Sequence, residues 1–381
     1  MPLFDTLDGA ARDELLAIAQ PVSFLRGAVL LRQGAPSRGA YFLLLGAAEA
    51  SVQLPGGEAL VLPQAGTGGV IGEMALLEHS LCTSTITACS AIDGLFIGRD
   101  DFRLLVARRS RAALAIQRAV TLNLCAKLAA LNAQLLAHPA PEDAPWSAEQ
   151  HATSSHPGAY AQTCSFDYRR FLPVLPLFQG WEIDEIDEIA DLATVIELPR
   201  GTSLFQEGDE AGALYITVRG AVEIAAPVTV AGVPSSQSRA APIATAATAA
   251  PAAPTAPTAP ATSSTNNAQH EQPTHLRRLA VLGPGHLIGH RSLVDGSRHS
   301  ARARTCERSV LLVLTRAQFL ALYQGTTPPS LRLQTAVHAA LLRAMAHTNV
   351  TLTRLVNLAR LAAANTTALE AALAEQVLYA S

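Results

Sequence analysis

Charge is scarce in this chain. Asp, Glu, Lys and Arg make up 15% of the residues and aromatics 5%, with a net charge of -3. There is no Lys/Arg run of the length a nucleic-acid arm needs, only the local clusters Arg108-Arg109-Ser110-Arg111 and Arg298 to Arg308. A direct nucleic-acid partner is therefore not expected. Cysteine is sparse as well: Cys82, Cys89, Cys125, Cys164 and Cys306 are scattered, odd in number and never spaced Cys-x-x-Cys. That excludes a zinc knuckle or a disulfide framework and fits a reducing cytoplasm. Met1-Pro2-Leu3-Phe4-Asp5 lacks the basic flank and apolar stretch of a secretory signal, and Tyr41 to Leu45 is too short to cross a bilayer, so no membrane association is expected. No Gly-x-Ser-x-Gly elbow or Walker loop is present, and no Ser-His-Asp set can be picked out; an enzyme is not expected. His286, His290 and His299 have no Cys or carboxylate companion at ligand spacing, so neither a metal nor another cofactor is expected. Asp184, Glu185, Asp187 and Glu188 alternate with Ile183, Ile186 and Ile189 and read as the solvated face of a helix.

What the chain does have is apolar content, 49% of 381 residues, and an internal repeat. Leu3-Phe4, Gly27, Gly34, Tyr41, Gly46 and Glu49 recur 174 residues later as Leu177-Phe178, Gly201, Gly208, Tyr215, Gly220 and Glu223. Gly72, Leu76, Thr83, Leu95 and Phe102 recur 217 residues later as Gly289, Leu293, Ser300, Leu312 and Phe319, so 43 residues are inserted in the second copy. The insertion, about 226–275, is rich in Ala, Pro and Thr and poor in large apolar residues. It is expected to be a disordered loop interrupting a hairpin that the first copy closes with Pro55-Gly56-Gly57.

Each copy reads as a short helix (8–19 and 182–192), then short glycine-punctuated strands, among them 29–32, 41–45, 48–54 and 59–62. A long closing helix follows, capped by Asp100-Asp101 or Thr315. The expected architecture is mainly β with helices: two small β-rolls, jelly-roll-like, each followed by a long helix. The first closing helix is expected over about 100–137. Its stripe Leu124, Leu128, Leu131, Leu135 packs either on its own roll or on a second helix at a dimer interface. The second is expected from about Pro329, continuing with breaks to about 378. The domain reading is 1–137, a Pro-rich linker 138–172, 173–350, and a helical tail 351–381.

The glycine landmarks Phe24-x-x-Gly27-x-x-Leu30-x-x-Gln33-Gly34 and Gly69-x-x-Gly72-Glu73, with Pro199-x-Gly201 and Gly283-Pro284-Gly285-x-x-x-Gly289 in the second copy, resemble the cyclic-nucleotide-binding domains of catabolite-activator-type regulators and kinase regulatory subunits. The resemblance implies a phosphate-binding cassette in each copy. There glycine lets the backbone approach the ligand, a glutamate accepts from the ribose 2′-hydroxyl, and an arginine and a hydroxyl hold the phosphate. In copy one this assigns Gly72, Glu73, Met74, Ala75, Cys82 and Thr83, with Glu73 at the ribose position, Thr83 at the hydroxyl position and Cys82 where the arginine belongs. Arg99 or an arginine of the closing helix is the candidate substitute. In copy two it assigns Gly289, His290, Arg298, His299 and Ser300, with His290 at the ribose position and His299 at the arginine position. The implied function is a cytoplasmic regulator responding to cyclic AMP, cyclic GMP or a related phosphate anion through movement of the closing helix, with a homodimer or a protein partner as its output. The alternatives are a ligand-free dimeric scaffold and a transcription-regulator relative without its own DNA-binding domain.

Overall fold

Glycines in the left-handed region set where the strands turn. Gly27, Gly34 and Gly46 have φ of 85°, 76° and 92°, and Gly201, Gly208 and Gly220 repeat them at 87°, 84° and 87°. The computed structural model describes residues 8–53, 59–77, 81–108, 110–137, 167–228 and 275–379, the side chains at 60, 62–64, 74, 77 and 362–379 excepted. The Leu3-Phe4 half of the repeat, the Pro55-Gly56-Gly57 turn, Cys164, most of the Pro-rich linker and residues 229–274 of the insertion lie outside the described residues.

The first roll comprises α1 (Gly9–Ile18), β1 (Gln20–Phe24), β2 (Val29–Leu31), β3 (Gly39–Leu45), β4 (Ala48–Gln53), β5 (Ala59–Ala65), β6 (Val70–Ile71), α2 (Met74–Leu77), β7 (Thr85–Ala88) and β8 (Ile92–Gly98). Then come α3 (Arg99–Ala107) and α4 (Arg111–Ala137). The second roll has α5 (Ile183–Leu192), β9 (Thr194–Leu198), β10 (Ser203–Phe205), β11 (Ala213–Arg219), β12 (Val222–Pro227), β13 (Leu276–Leu282), β14 (Leu287–Ile288), α6 (His290–Asp295), β15 (Arg302–Thr305) and β16 (Ser309–Thr315). It ends in α7 (Arg316–Tyr323) and α8 (Pro328–Tyr379).

Each roll is two four-stranded antiparallel sheets. The orders β1-β8-β3-β6 and β2-β7-β4-β5 recur as β9-β16-β11-β14 and β10-β15-β12-β13. Register repeats as well: Tyr41 lies opposite Ile71 and Phe96, and Tyr215 opposite Ile288 and Val313. The ends of the insertion are strand neighbours, Pro227 opposite Leu276, as expected for a loop grown from a hairpin.

The helices differ from the sequence expectation in three ways. The first closing helix is not continuous over 100–137. It breaks at Ser110, whose Oγ accepts from the amides of Ala112 and Ala113 and donates to Glu14. A buried serine thus starts α4 within the local basic cluster at 108–111. Secondly, Asp100 and Asp101 sit in the first turn of α3, and its N-cap is Gly98 without a side-chain bond; Thr315 does cap, in a capping box with Gln318 that starts the short α7. Thirdly, α8 runs unbroken through residue 350 for 52 residues.

The leucine stripe of α4 has a single home inside the chain. Leu124, Leu128, Leu131 and Leu135 are buried in one core with Leu333, Val337, Leu341, Leu342 and Met345 of α8, and both rolls contribute to that core. Each roll keeps a smaller core of its own between its sheets, around Leu43 and Ile71 in the first and Tyr215 and Ile288 in the second. Helix α4 is long and apolar enough to cross a bilayer by length and composition, yet its stripe is covered by protein. Polar bonds fix the α4–α8 pairing. Thr348 Oγ1 donates to Asn132 Oδ1 at 3.0 Å. The Thr121 hydroxyl donates to Gln117 O at 2.7 Å and therefore accepts from His338 Nε2, which assigns the proton to that nitrogen of a buried imidazole.

Candidate functional site

Two cavities open in corresponding places, one per roll, each between a cassette and the paired helices. The first holds about 450 Å³ and the second about 350 Å³. The two helices serve both. The first cavity is lined by Lys127 and Leu131 of α4 and also by Met345 and Asn349 of α8; the second by Arg343 and His347 of α8 and also by Leu128 and Asn132 of α4. Correspondingly, α4 touches α6 of the second cassette and α8 touches α2 of the first. Each cavity is therefore walled in part by the other roll's closing helix.

Glycine is required where each cassette begins. Gly72 has φ +76°, and a Cβ there would lie 3.0 Å from Gly39 O and from Leu31 Cδ1. Gly289 has φ +84°, and a Cβ would lie 3.0 Å from Ala213 O. Left-handed backbone costs a side-chain-bearing residue about 1–2 kcal/mol before any contact is counted. Gly289→Ala is thus expected to lower unfolding free energy by about 2 kcal/mol in urea titrations, against about 1 kcal/mol for Gly208→Ala, whose Cβ would meet open space. Equal losses at the two positions would show that the close approach at Gly289 is unimportant.

In the first cavity Glu73, Cys82 and Thr83 come together as the sequence anticipates, with Gly72 and Ala75 beside them. Met74 supplies backbone to α2, and its side chain lies outside the described residues. Burial pushes the Cys82 thiol up, so it stays protonated and carries no charge toward an anion. Thr83 is exposed at the cavity wall. Arg99 is not the substitute cation: its guanidinium donates to Ala75 O and Ser37 O at 2.5 Å each and ties α3 to the cassette. The cation at this cavity is Lys127. Its Nζ lies 2.6 Å from Glu73 Oε1, where the Glu73 side chain is only 4% exposed, and it also donates to Val70 O at 3.3 Å. Asn123 joins it on Val70 O at 3.2 Å. Helix α4 is thereby latched to the cassette through the Glu73 carboxylate. Sequence reasoning missed Lys127, although a signal was present: lysine occurs once in 381 residues.

The second cavity contains Gly289, His290, His299 and Ser300, but Arg298 turns outward, donating to Gly208 O at 2.8 Å and pairing with Glu210 at 3.1 Å. His299 lies flat on Phe205, ring centroids 3.6 Å apart. Burial lowers both His290 and His299 to about 4, so both are neutral at pH 7. Two arginines that the motif did not nominate line this cavity, Arg291 from α6 and Arg343 from α8. Arg291 donates to Ser300 Oγ at 3.0 Å and faces Asp295 at 3.4 Å. His286 also lines it, but no cluster of three His, Cys, Asp or Glu suited to a metal occurs among the described residues.

Residues 21–109 and 269–326 match the family model described as the cyclic nucleotide-binding domain. Several solved structures are similar to the chain. The regulatory domain of Toxoplasma gondii PKA, co-crystallised with cAMP, is 17% identical over 84% of this chain and 86% of that one, with a TM-score of 0.27. The regulatory subunit of a cAMP-independent protein kinase A from Trypanosoma brucei is 14% identical over 87% and 85%, TM-score 0.29. The N-terminal domain of a transcriptional regulator from Streptomyces coelicolor A3(2) is 31% identical over 32% of this chain and 83% of that one, TM-score 0.29. The cyclic nucleotide-binding domain match covers most of the first roll and the part of the second from 269 to 326, and both cassettes, with Gly72 and Gly289, lie within it.

Proposed function

We propose that the protein is a cytoplasmic regulator whose first roll senses cyclic AMP or cyclic GMP and reports binding through α4. The observation that carries this reading is the Lys127–Glu73 pair, 2.6 Å apart, at a cavity of about 450 Å³, within the usual range of about 300–1,000 Å³ for small-molecule pockets. Glu73 is the acceptor for a ribose 2′-hydroxyl, Thr83 a donor to the phosphate, and Lys127 the one cation among the lining residues described. A cyclic phosphate competes with Glu73 for the ammonium. Because Lys127 belongs to α4, that competition shifts the helix, and α4 is packed along α8. The ligand moves the equilibrium by its differential affinity for the latched and unlatched states. Four free cysteines among the described residues favour a reducing compartment. The output is a contact with a second copy or another protein, altered by the α4–α8 pair.

The test is calorimetric titration with cyclic AMP, then cyclic GMP, in low-phosphate buffer, using Arg291→Gln/Arg343→Gln protein so that the first cavity alone reports. Micromolar binding is expected, weakened at least tenfold by Lys127→Gln. Traces flat to millimolar ligand would sink the proposal. One observation favours a second reading, a ligand-free scaffold: Glu73 is already satisfied by Lys127, and Cys82 brings no charge. Flat traces together with an intact fold would select it.

A further inference from the structure

The two cavities differ in the chemistry that would read a sugar. Among the described residues the second cavity has no carboxylate in its lining. The position corresponding to Glu73 is His290, whose two ring nitrogens are buried beside the Leu287 backbone. With both nitrogens buried, this neutral imidazole next to two arginines presents neither an anionic oxygen nor an open acceptor to a 2′-hydroxyl. Arg291 is held in place by Ser300 and Asp295, its side chain 16% exposed. Arg343, across the cavity on α8, makes no ion pair or hydrogen bond among the described residues. Its charge is available, and Asp295 offsets only that of Arg291. The stacked His299–Phe205 pair adds a flat apolar wall.

We propose that the second cavity binds a phosphate ester through Arg291, Arg343 and Ser300 without reading a ribose 2′-hydroxyl. This rests on the reading that the rolls hold small ligands, and it gives the two cavities different specificities: the first reads sugar and phosphate, the second phosphate alone. Guanidinium suits the task because its planar fork matches phosphate oxygens, whereas the first cavity relies on a point-like ammonium.

The experiment uses the full chain with the first cavity disabled by Glu73→Gln/Lys127→Gln, which leaves no unpaired charge there. Equilibrium titrations with cyclic AMP and with 2′-deoxy cyclic AMP are expected to agree within about threefold. Arg291→Gln in that background is expected to weaken both at least tenfold. Arg343→Gln, which removes no ion pair or hydrogen bond among the described residues, is expected to weaken both about fivefold, an effect readable even if the Arg291 variant is unstable. The proposal is overturned if the 2′-deoxy ligand binds at least tenfold more weakly, if neither arginine variant changes affinity, or if the Glu73→Gln/Lys127→Gln protein binds nothing. Retained binding in the Arg291→Gln/Arg343→Gln protein alongside any of these results leaves the first-cavity reading standing. Loss of binding in both backgrounds removes both readings.

Discussion

Lys127→Ala is expected to cost about 3 kcal/mol of unfolding free energy at pH 7, a large effect for one substitution on a helix surface. The reason lies with the partner left behind. The Glu73 side chain is 4% exposed, and without the ammonium 2.6 Å away its carboxylate is buried and uncompensated. Removing one member of a buried pair typically costs about 3–5 kcal/mol, because the remaining charge keeps its desolvation penalty. Lys127 is 35% exposed, which places the expectation at the low end of that range. The double variant Glu73→Gln/Lys127→Gln removes both charges and is expected to recover most of the loss, since a buried pair replaced as a whole is often close to neutral. A loss below about 1 kcal/mol for Lys127→Ala is what an ordinary surface pair gives, and it would mean that the pair does not hold α4 to the cassette. The recovery in the double variant separates the electrostatic explanation from simple loss of lysine packing.

Between pH 6.5 and pH 4 the protein is expected to lose several kcal/mol of stability, before most carboxylates titrate. His290, His299 and His338 each have a folded-state value lowered by burial from 6.5 to about 4. A lowered value means that the unfolded chain takes up protons first. The stability these neutral imidazoles contribute is therefore complete above pH 6.5 and is lost as pH falls toward 4. A tenfold change in proton affinity is worth about 1.4 kcal/mol, so each imidazole carries a ceiling of about 3 kcal/mol. His338 is the cleanest probe, because it lies in the helix interface away from either cavity and its protonated Nε2 is already donated to Thr121. His338→Gln preserves an N–H for Thr121 and cannot titrate, so the pH dependence over this window is expected to shrink by about a third. Urea midpoints that stay level from pH 7 to pH 4.5 would contradict burial of all three rings in neutral form.

The strand plan was legible because its signals are local and duplicated. Left-handed glycines punctuate each roll, and the constant offsets carry Tyr41 onto Tyr215 and Gly72 onto Gly289 together with their strand pairings. The fate of the closing helices was not legible. The stripe Leu124, Leu128, Leu131, Leu135 is equally apolar whether it faces a roll, a second copy or α8, and only the three-dimensional arrangement distinguishes these. The break at Ser110 was hidden because no Pro or Gly marks it; the serine becomes a cap by virtue of Glu14, 96 residues away. At the sites, Glu73 and Cys82 could be read from the resemblance to the family motif. Lys127 is 54 residues from its partner and could be suspected only from its solitude in the composition. Arg291 stands one position beyond the motif residue His290, and Arg298, which the motif spacing did nominate, points away to Glu210.

That single lysine also gives the most direct test of the claim that the first cavity signals through α4. Protein grown with 13C-labelled lysine has one labelled side chain, so its NMR spectrum reports Lys127 alone. Titration with cyclic AMP in the Arg291→Gln/Arg343→Gln protein is predicted to shift the Lys127 Cε–Hε signal to a new saturable position as the ammonium leaves Glu73 for the phosphate, with the midpoint matching the calorimetric Kd. A Lys127 signal that stays fixed at saturating ligand would contradict the claim, because the α4 latch would then be indifferent to whatever occupies the roll.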